Sequence, residues 1–168
     1  RWIYGRADHI MTSSRQFEKY FREILKFNGP VSHLPVYAED VFEKINTTRT
    51  EKKTIDLVFA GNIGEMQSVE TIILAANEIK DEKNIFFHIV GDGSSLNKCL
   101  ALSAKLGTSN VIFHGRHPVT EMPRFYEMAD ALLITLKKNR VISYTLPNKV
   151  QSYMAAGKPI IGAIDGVT

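Results

Sequence analysis

The residues best suited to chemistry lie in "KKNRVISYTLPNKVQSYMAAGKPIIGA", residues 137–163: a basic loop, a proline, a short helix opening on Asn148 and Lys149, a glycine stop and an apolar strand. Asn148 beside Pro147 reads as a helix N-cap. The free backbone N–H groups behind it, with the helix dipole, favour a negative group by roughly 0.3–1 kcal/mol. Lys149 adds a mobile full charge in the first turn, with Lys138 and Arg140 just upstream. Together these features describe a site for a phosphorylated ligand. The competing reading makes Lys149 an ordinary solvated first-turn residue.

Glycines supply the second clue. Gly61, Gly64, Gly91, Gly93, Gly115 and Gly166 each fall at or just after the end of an apolar run expected to be a strand. Glycine there lets the chain turn sharply and lets a ligand approach the backbone, although tight strand-to-helix turns need glycine anyway. "GNIG" resembles a phosphate turn without satisfying either a Walker A or a G-x-G-x-x-G spacing. In "GDGSS", Ser94 or Ser95 is suited to capping the next helix. The five histidines form no metal set, and no Ser-His-Asp order or paired carboxylates are legible.

The elements that must position these residues follow from the apolar pattern. A chain of 168 residues, 44% apolar and 23% charged, is ordinary globular material, enough for one well-buried core. A formal charge of +3, with no basic block interleaved with aromatics, argues against a nucleic-acid partner. One cysteine, Cys99, at helical spacing from Leu96, Leu100 and Ser103, reads as a buried thiol in a reducing compartment. No apolar run approaches the roughly 18 residues of a membrane span, so a soluble protein is expected. The opening on Arg1 and the stop at "AIDGVT" read as a piece of a larger protein, its sheet truncated at the carboxyl end.

From Thr54 onward "TIDLVFAGN", "IFFHIVGDG", "VIFHG", "ALLITL" and "PIIGAI" are short apolar runs. They alternate with helical stretches at Met66 to Lys80, Ser94 to Leu106, Glu121 to Met128 and after Pro147. Such alternation predicts a Rossmann-like, doubly wound parallel sheet of the α/β class, covered on both faces. Val69, Ile72, Ile73, Ala76 and Ile79 form one sheet-facing stripe, and Leu96, Cys99, Leu100 and Leu106 another. In such sheets the ligand lies beyond the carboxyl ends of the strands, where strand order reverses. Residues 1–53 differ. They predict a helix with Phe17, Phe21, Ile24 and Leu25 on one face, capped by Ser13 or Ser14, and then a proline-containing connector with a short strand. Arg15, Lys19, Arg22 and Lys26 form a solvated basic face, with a membrane surface as the alternative partner.

The ordered motifs "VFAGNIG", "FFHIVGDGS", "VIFHGRHP...MPRFYEMADALLITL" and "LPNKVQSYMAAGKPIIGAIDG" resemble the carboxyl-terminal half of family 4 glycosyltransferases of GT-B architecture, in the bacterial branch that makes cell-surface polysaccharides. The resemblance covers about Asp56 to Gly166. It implies a donor-binding domain over 54–168, preceded in 1–53 by the end of an acceptor domain and a linker. It also implies metal-independent, retaining transfer of a hexosyl or N-acetylhexosaminyl group from a nucleoside diphosphate sugar, with a UDP-sugar favoured and no tightly bound cofactor. The acceptor would be a saccharide or lipid-linked glycan held by the missing amino-terminal domain. The setting would be cytoplasmic, with peripheral association at the inner face of the plasma membrane, and this piece alone would be inactive.

On the matching positions, the turn Gly61 to Gly64, with Gly61, Asn62 and Gly64, would lie against the diphosphate or sugar, and the turn Gly91 to Gly93 and the segment Gly115 to His117, with Gly91, Gly93 and Arg116, near the base and ribose. Asn148, Lys149 and Ser152 would complete the donor site. The family's Arg and Lys of the first turn are replaced here by Asn62 and Gln67, and its Glu-x7-Glu pair by Tyr144 and Ser152, so no catalytic residue is assigned. A related sugar-nucleotide epimerase and a non-catalytic nucleotide-sensing module are the alternatives.

Overall fold

The computed structural model describes residues 2–48, 51–139 and 141–165. The chain begins with β1 (Ile10–Thr12), α1 (Gln16–Glu23) and β2 (Val31–His33), whose strands pair in parallel as a separate two-stranded sheet. α1 turns Phe21 inward to pack with Ile10 and Phe27, but Ile24 stays exposed. Arg15 occupies the cap position and no side chain caps this helix, contrary to the expectation for Ser13 or Ser14.

The larger unit runs β3 (Ile55–Ala60), α2 (Val69–Glu78), β4 (Ile85–Val90), α3 (Leu96–Leu106), β5 (Val111–Gly115), α4 (Met122–Met128), β6 (Ala131–Thr135), α5 (Lys149–Ala155) and β7 (Ile160–Ala163). Its five strands lie in the order β5-β4-β3-β6-β7, all neighbours parallel. The chain builds outward from β3 through β4 to β5, then returns to β3's other side with β6. The reversal of order therefore falls between β3 and β6, and the carboxyl ends of those two strands define the crevice.

Alternation along β3 splits the core. Val58 and Ala60 face Phe125, Tyr126 and Tyr153 of α4 and α5. Phe59 faces Val69, Ile72, Ile73 and Cys99 of α2 and α3. Both faces of β3 are thus covered, as a continuous apolar strand requires, whereas the expected cover is missing at the edge strand β7, which is exposed throughout.

Three expectations need correction. The stretch from Met66 to Lys80 is not one helix: Glu65–Gln67 form a 3₁₀ turn, Ser68 takes a left-handed conformation at φ 47°, and the α-helix begins at Val69. On α3, Leu100 points outward, and Ser103 is buried in its place beside Cys99. Ser95 holds the cap position of α3 without a side-chain cap bond, so neither Ser94 nor Ser95 does the predicted job.

Candidate functional site

Three turns meet at the carboxyl edge of the sheet. Gly61 (φ 139°) and Gly91 (φ 145°) end β3 and β4 in backbone conformations that side chains rarely adopt. A Cβ on Gly91 would stand 1.8 Å from the Gly61 carbonyl oxygen, and one on Gly93 would stand 2.5 Å from that of Ile63. These glycines let two turns pack against each other, a structural duty the sequence left open beside ligand approach. Backbone bonds lock the contact: Ile63 N–H donates to Asp92 O at 2.8 Å and Ser95 N–H to Ile63 O at 2.9 Å.

The packed turns wall a cavity of about 450 Å³ lined by Gly61, Asn62, Gly91, Asp92, Gly93, Arg116 and His117, among others. Five of the predicted site residues thus come together: Gly61, Asn62, Gly91, Gly93 and Arg116. Gly64 is buried behind the turn, where a Cβ would press on the amides of Asn62 and Gln67. Those amides replace the expected Arg and Lys and bond to each other, Asn62 Nδ2 to Gln67 Oε1, at 3.3 Å. The first turn is therefore neutral at both positions. Its acidic Glu65 is held by Lys137 at 2.8 Å, and Lys137 N–H donates to Met66 O, tying the turn to the segment after β6.

The helix that follows differs from its expected form. α5 has only seven residues, and Asn148 stands at its cap position in a helical conformation with no side-chain cap bond. Asn148 therefore does not do the predicted capping job. Lys149 is also not a mobile surface charge. Its Nζ is sealed from solvent and has no hydrogen-bond partner. It lies 3.7 Å over the Phe59 ring and 3.0 Å from where a Gly61 Cβ would be. Since α5 packs on the Val58 and Ala60 face and Phe59 belongs to the opposite one, the lysine stem crosses the strand end from one face to the other. Burial pushes its pKa down to about 7.

Tyr153, one turn further along α5, explains how the helix is held. β3 pairs with β6 only at Leu57 and Val58, so the two strands part toward their carboxyl ends. At Ala60 the fully buried Tyr153 hydroxyl takes over the ladder, accepting from Ala60 N–H at 3.0 Å and donating to Ala60 O at 3.2 Å. Nothing in the spacing singled out this tyrosine beyond its position in an apolar helix.

Ser152 is half-buried, its carbonyl accepting from Ala156 N–H, and it does not line the cavity. Tyr144, at the other position where the family has glutamate, packs against Phe17 and Tyr20 of α1. Lys138 is exposed and pairs with Asp165 at 3.5 Å. Arg140 and Gly166 lie outside the described residues. Asp92 and His117, which complete the cavity, fall within the segments Gly91 to Gly93 and Gly115 to His117 named from the resemblance.

A second cavity, about 470 Å³, opens at the opposite edge of the sheet, beside Lys52, Asp56, Asp130 and Lys158. Lys52 Nζ lies 2.6 Å from Asp56 and 2.9 Å from Asp130, and Lys158 Nζ donates to the Glu127 carbonyl at 2.9 Å. Asp56 also meets His88 Nε2 at 2.9 Å, and His88 Nδ1 meets His114 Nε2 at 2.9 Å. This network runs from the start of β3 across β4 to His114 near the end of β5, and the His114 carbonyl meets His117 Nε2 at 3.2 Å. Among the described residues no cluster of histidine, cysteine and carboxylates could hold a metal ion, and no helix is long and apolar enough to cross a membrane.

A doubly wound parallel sheet with a glycine-walled crevice at its switch point is the architecture of the carboxyl-terminal half of GT-B glycosyltransferases. Solved structures bear out that fold. WaaG, a glycosyltransferase involved in lipopolysaccharide biosynthesis, superposes with a TM-score of 0.75 at 20% identity, over 93% of this chain and 44% of its own. Anabaena HepE, solved in complex with UDP and glucose, does so with a TM-score of 0.70 at 15% identity, over 95% and 45%.

The family model described as "Glycosyl transferases group 1" matches residues 54–166, and the chain belongs to that family. Among curated relatives, the probable glycosyltransferase WbjE of Pseudomonas aeruginosa is 28% identical over 98% of this chain and 42% of its own length. The putative colanic acid biosynthesis glycosyl transferase WcaI of Escherichia coli K12 is 30% identical over 60% and 24%. The chain thus spans less than half the length of these relatives.

Proposed function

We propose that this chain is the donor-binding half of a glycosyltransferase. It holds a nucleoside diphosphate sugar, UDP-linked by preference, for transfer of the sugar to a saccharide or lipid-linked acceptor in cytoplasmic cell-surface polysaccharide synthesis. Residues 54–168 form the donor domain. Residues 1–53 close the acceptor domain and link the two, a division supported by the separate β1-β2 sheet.

One observation carries the reading: Gly61, which helps to wall the cavity of backbone and Arg116 at the switch point, has beside it a buried lysine amine with no partner of its own, 3.0 Å from where its Cβ would be. An unpaired polar group in a sealed position costs free energy unless a ligand uses it. Gly91, Gly93 and Arg116 face the base and ribose. Gly61, Asn62 and Lys149 serve the diphosphate, with Gly64 shaping their turn and Asn148 and Ser152 bordering it. Negative charge grows on the departing diphosphate during transfer, so a lysine charge beside it stabilises the transition state more than the ground state. One positive charge delivered from α5 takes the place of the two that Asn62 and Gln67 lack.

The test is a thermal-shift panel with UDP, GDP, ADP and CMP. A ligand at 100 times its Kd stabilises the native state by about 2.7 kcal/mol. UDP should raise the melting temperature most, and a panel in which no nucleotide raises it overturns the proposal.

A further inference from the structure

Lys149 raises a question that diphosphate binding alone leaves open: in what protonation state does the empty site wait? Three features of its surroundings bear on this. Nζ is shut off from water, so an ammonium there has lost its hydration. No hydrogen-bond acceptor among the described residues replaces that water. Beside it lie an aromatic face, Phe59, and the Cβ-less side of Gly61, neither of which neutralises a full charge.

The ionisable groups around it do not supply a counter-charge. On its own helix, one turn along, Tyr153 is engaged with Ala60. Beyond Gly61, the cavity carries Asp92, Arg116 and His117. On the first turn, Glu65 is spent on Lys137. The amine's shift down to about 7 has burial as its only cause, with no charged side chain contributing.

We propose that Lys149 rests as a neutral amine in the empty site and takes up a proton as the diphosphate arrives, so that nucleotide binding by this chain is proton-coupled. The proposal rests on the donor-site reading above and adds to it a pH dependence. The balance is simple: one proton moves from solvent to Nζ, no covalent bond to the ligand forms, and the ammonium then donates to a phosphoryl oxygen. The physical advantage is that the empty site avoids holding an uncompensated buried charge, while the occupied site gains an ion pair in a water-poor setting.

The experiment is calorimetric titration of UDP into the 168-residue chain at fixed ionic strength between pH 7.5 and 9, beside Lys149→Met. Over that range the pyrophosphate stays largely ionised, so the protein's own proton dominates the linkage. Wild-type affinity should fall roughly 20-fold across the interval, approaching tenfold per pH unit. Lys149→Met, an apolar side chain of similar length that suits the burial, should bind weakly and show no such slope. A second measurement follows the lysine ε-carbons by NMR, with the Met variant assigning residue 149. Its titration midpoint should lie well below those of the other lysines in the free chain and move up with UDP.

A wild-type fall of less than about threefold, or an ε-carbon that titrates with the other lysines in the free chain, overturns proton coupling while leaving the donor site standing. UDP that fails to bind at any pH, or binds Lys149→Met as tightly as wild type, overturns the donor-site reading itself.

Discussion

Replacing Lys149 by methionine should make the protein more stable, and the gain should depend on pH in a calculable way. The folded pKa of this amine is depressed from 10.5 to about 7. Above pH 10.5 it is neutral in both states and costs nothing by ionisation. Between 10.5 and 7 the unfolded chain binds a proton that the folded chain does not, so stability falls as the pH is lowered. Below 7 the full difference applies, roughly 4–5 kcal/mol at 1.36 kcal/mol per unit. A neutral amine gains little from the Phe59 face at 3.7 Å, so the cost at pH 7 stays at roughly 4 kcal/mol. Lys149→Met removes that cost and keeps the stem's apolar packing. At about 2–4 °C per kcal/mol for a chain of this size, its melting temperature should rise by about 8–16 °C at pH 7. Urea unfolding of both proteins at pH 7 and pH 10 checks it, with matched m-values as the test of two-state behaviour. The gap should shrink to about 1 kcal/mol or less at pH 10. A methionine variant less stable than wild type at pH 7, or a gap independent of pH, would refute the reasoning.

Other substitutions probe the frame of the site. Tyr153→Phe strips the Ala60 N–H and C=O of their hydroxyl partner where β3 and β6 part, and should cost about 1–3 kcal/mol per group left unsatisfied, read from the urea midpoint. Gly91→Ala forces a Cβ to 1.8 Å from Gly61 O at φ 145°, and should destabilise by more than about 2 kcal/mol while abolishing UDP binding in calorimetry. At the other edge, burial works against ionisation of Asp56, but hydrogen bonds from Lys52 and His88 outweigh it and hold its pKa below 3.8. That stability is present above the unfolded value and is lost as pH falls through the folded one. Acid unfolding followed by circular dichroism should therefore shift to higher pH in Asp56→Asn.

The strands of the larger sheet were legible because each is a short apolar run, three of them ended by glycine, and a doubly wound parallel sheet buries both faces of "IDLVFA" and "ALLIT". The glycine turns were legible for the same reason, and with them Gly61, Asn62, Gly91, Gly93 and Arg116 as one crevice. The break at Ser68 was not, since a left-handed serine carries no local signature when the apolar stripe continues through it. β1 escaped notice because three residues give no periodicity. The character of Lys149 was hidden for a deeper reason. Helical spacing tells which side of α5 a residue leaves from, but not that β3 and β6 diverge and let a long stem cross the strand end. The Asp56, His88 and His114 chain is likewise a product of register, which sequence spacing of 32 and 26 residues does not reveal.

The central claim is that a nucleoside diphosphate binds at the switch-point crevice through its diphosphate and Lys149. The direct measurement is a pair of calorimetric titrations at pH 7 and fixed salt, UDP and uridine each into wild type and Lys149→Ala. A charge-assisted hydrogen bond contributes about 1.5–3 kcal/mol, so UDP should bind the variant roughly 10- to 150-fold more weakly, with Lys149→Arg recovering only part of the loss. Uridine, which has no phosphate, should bind wild type and variant alike. Equal UDP affinity in Lys149→Ala, or a parallel loss for uridine, would contradict the account.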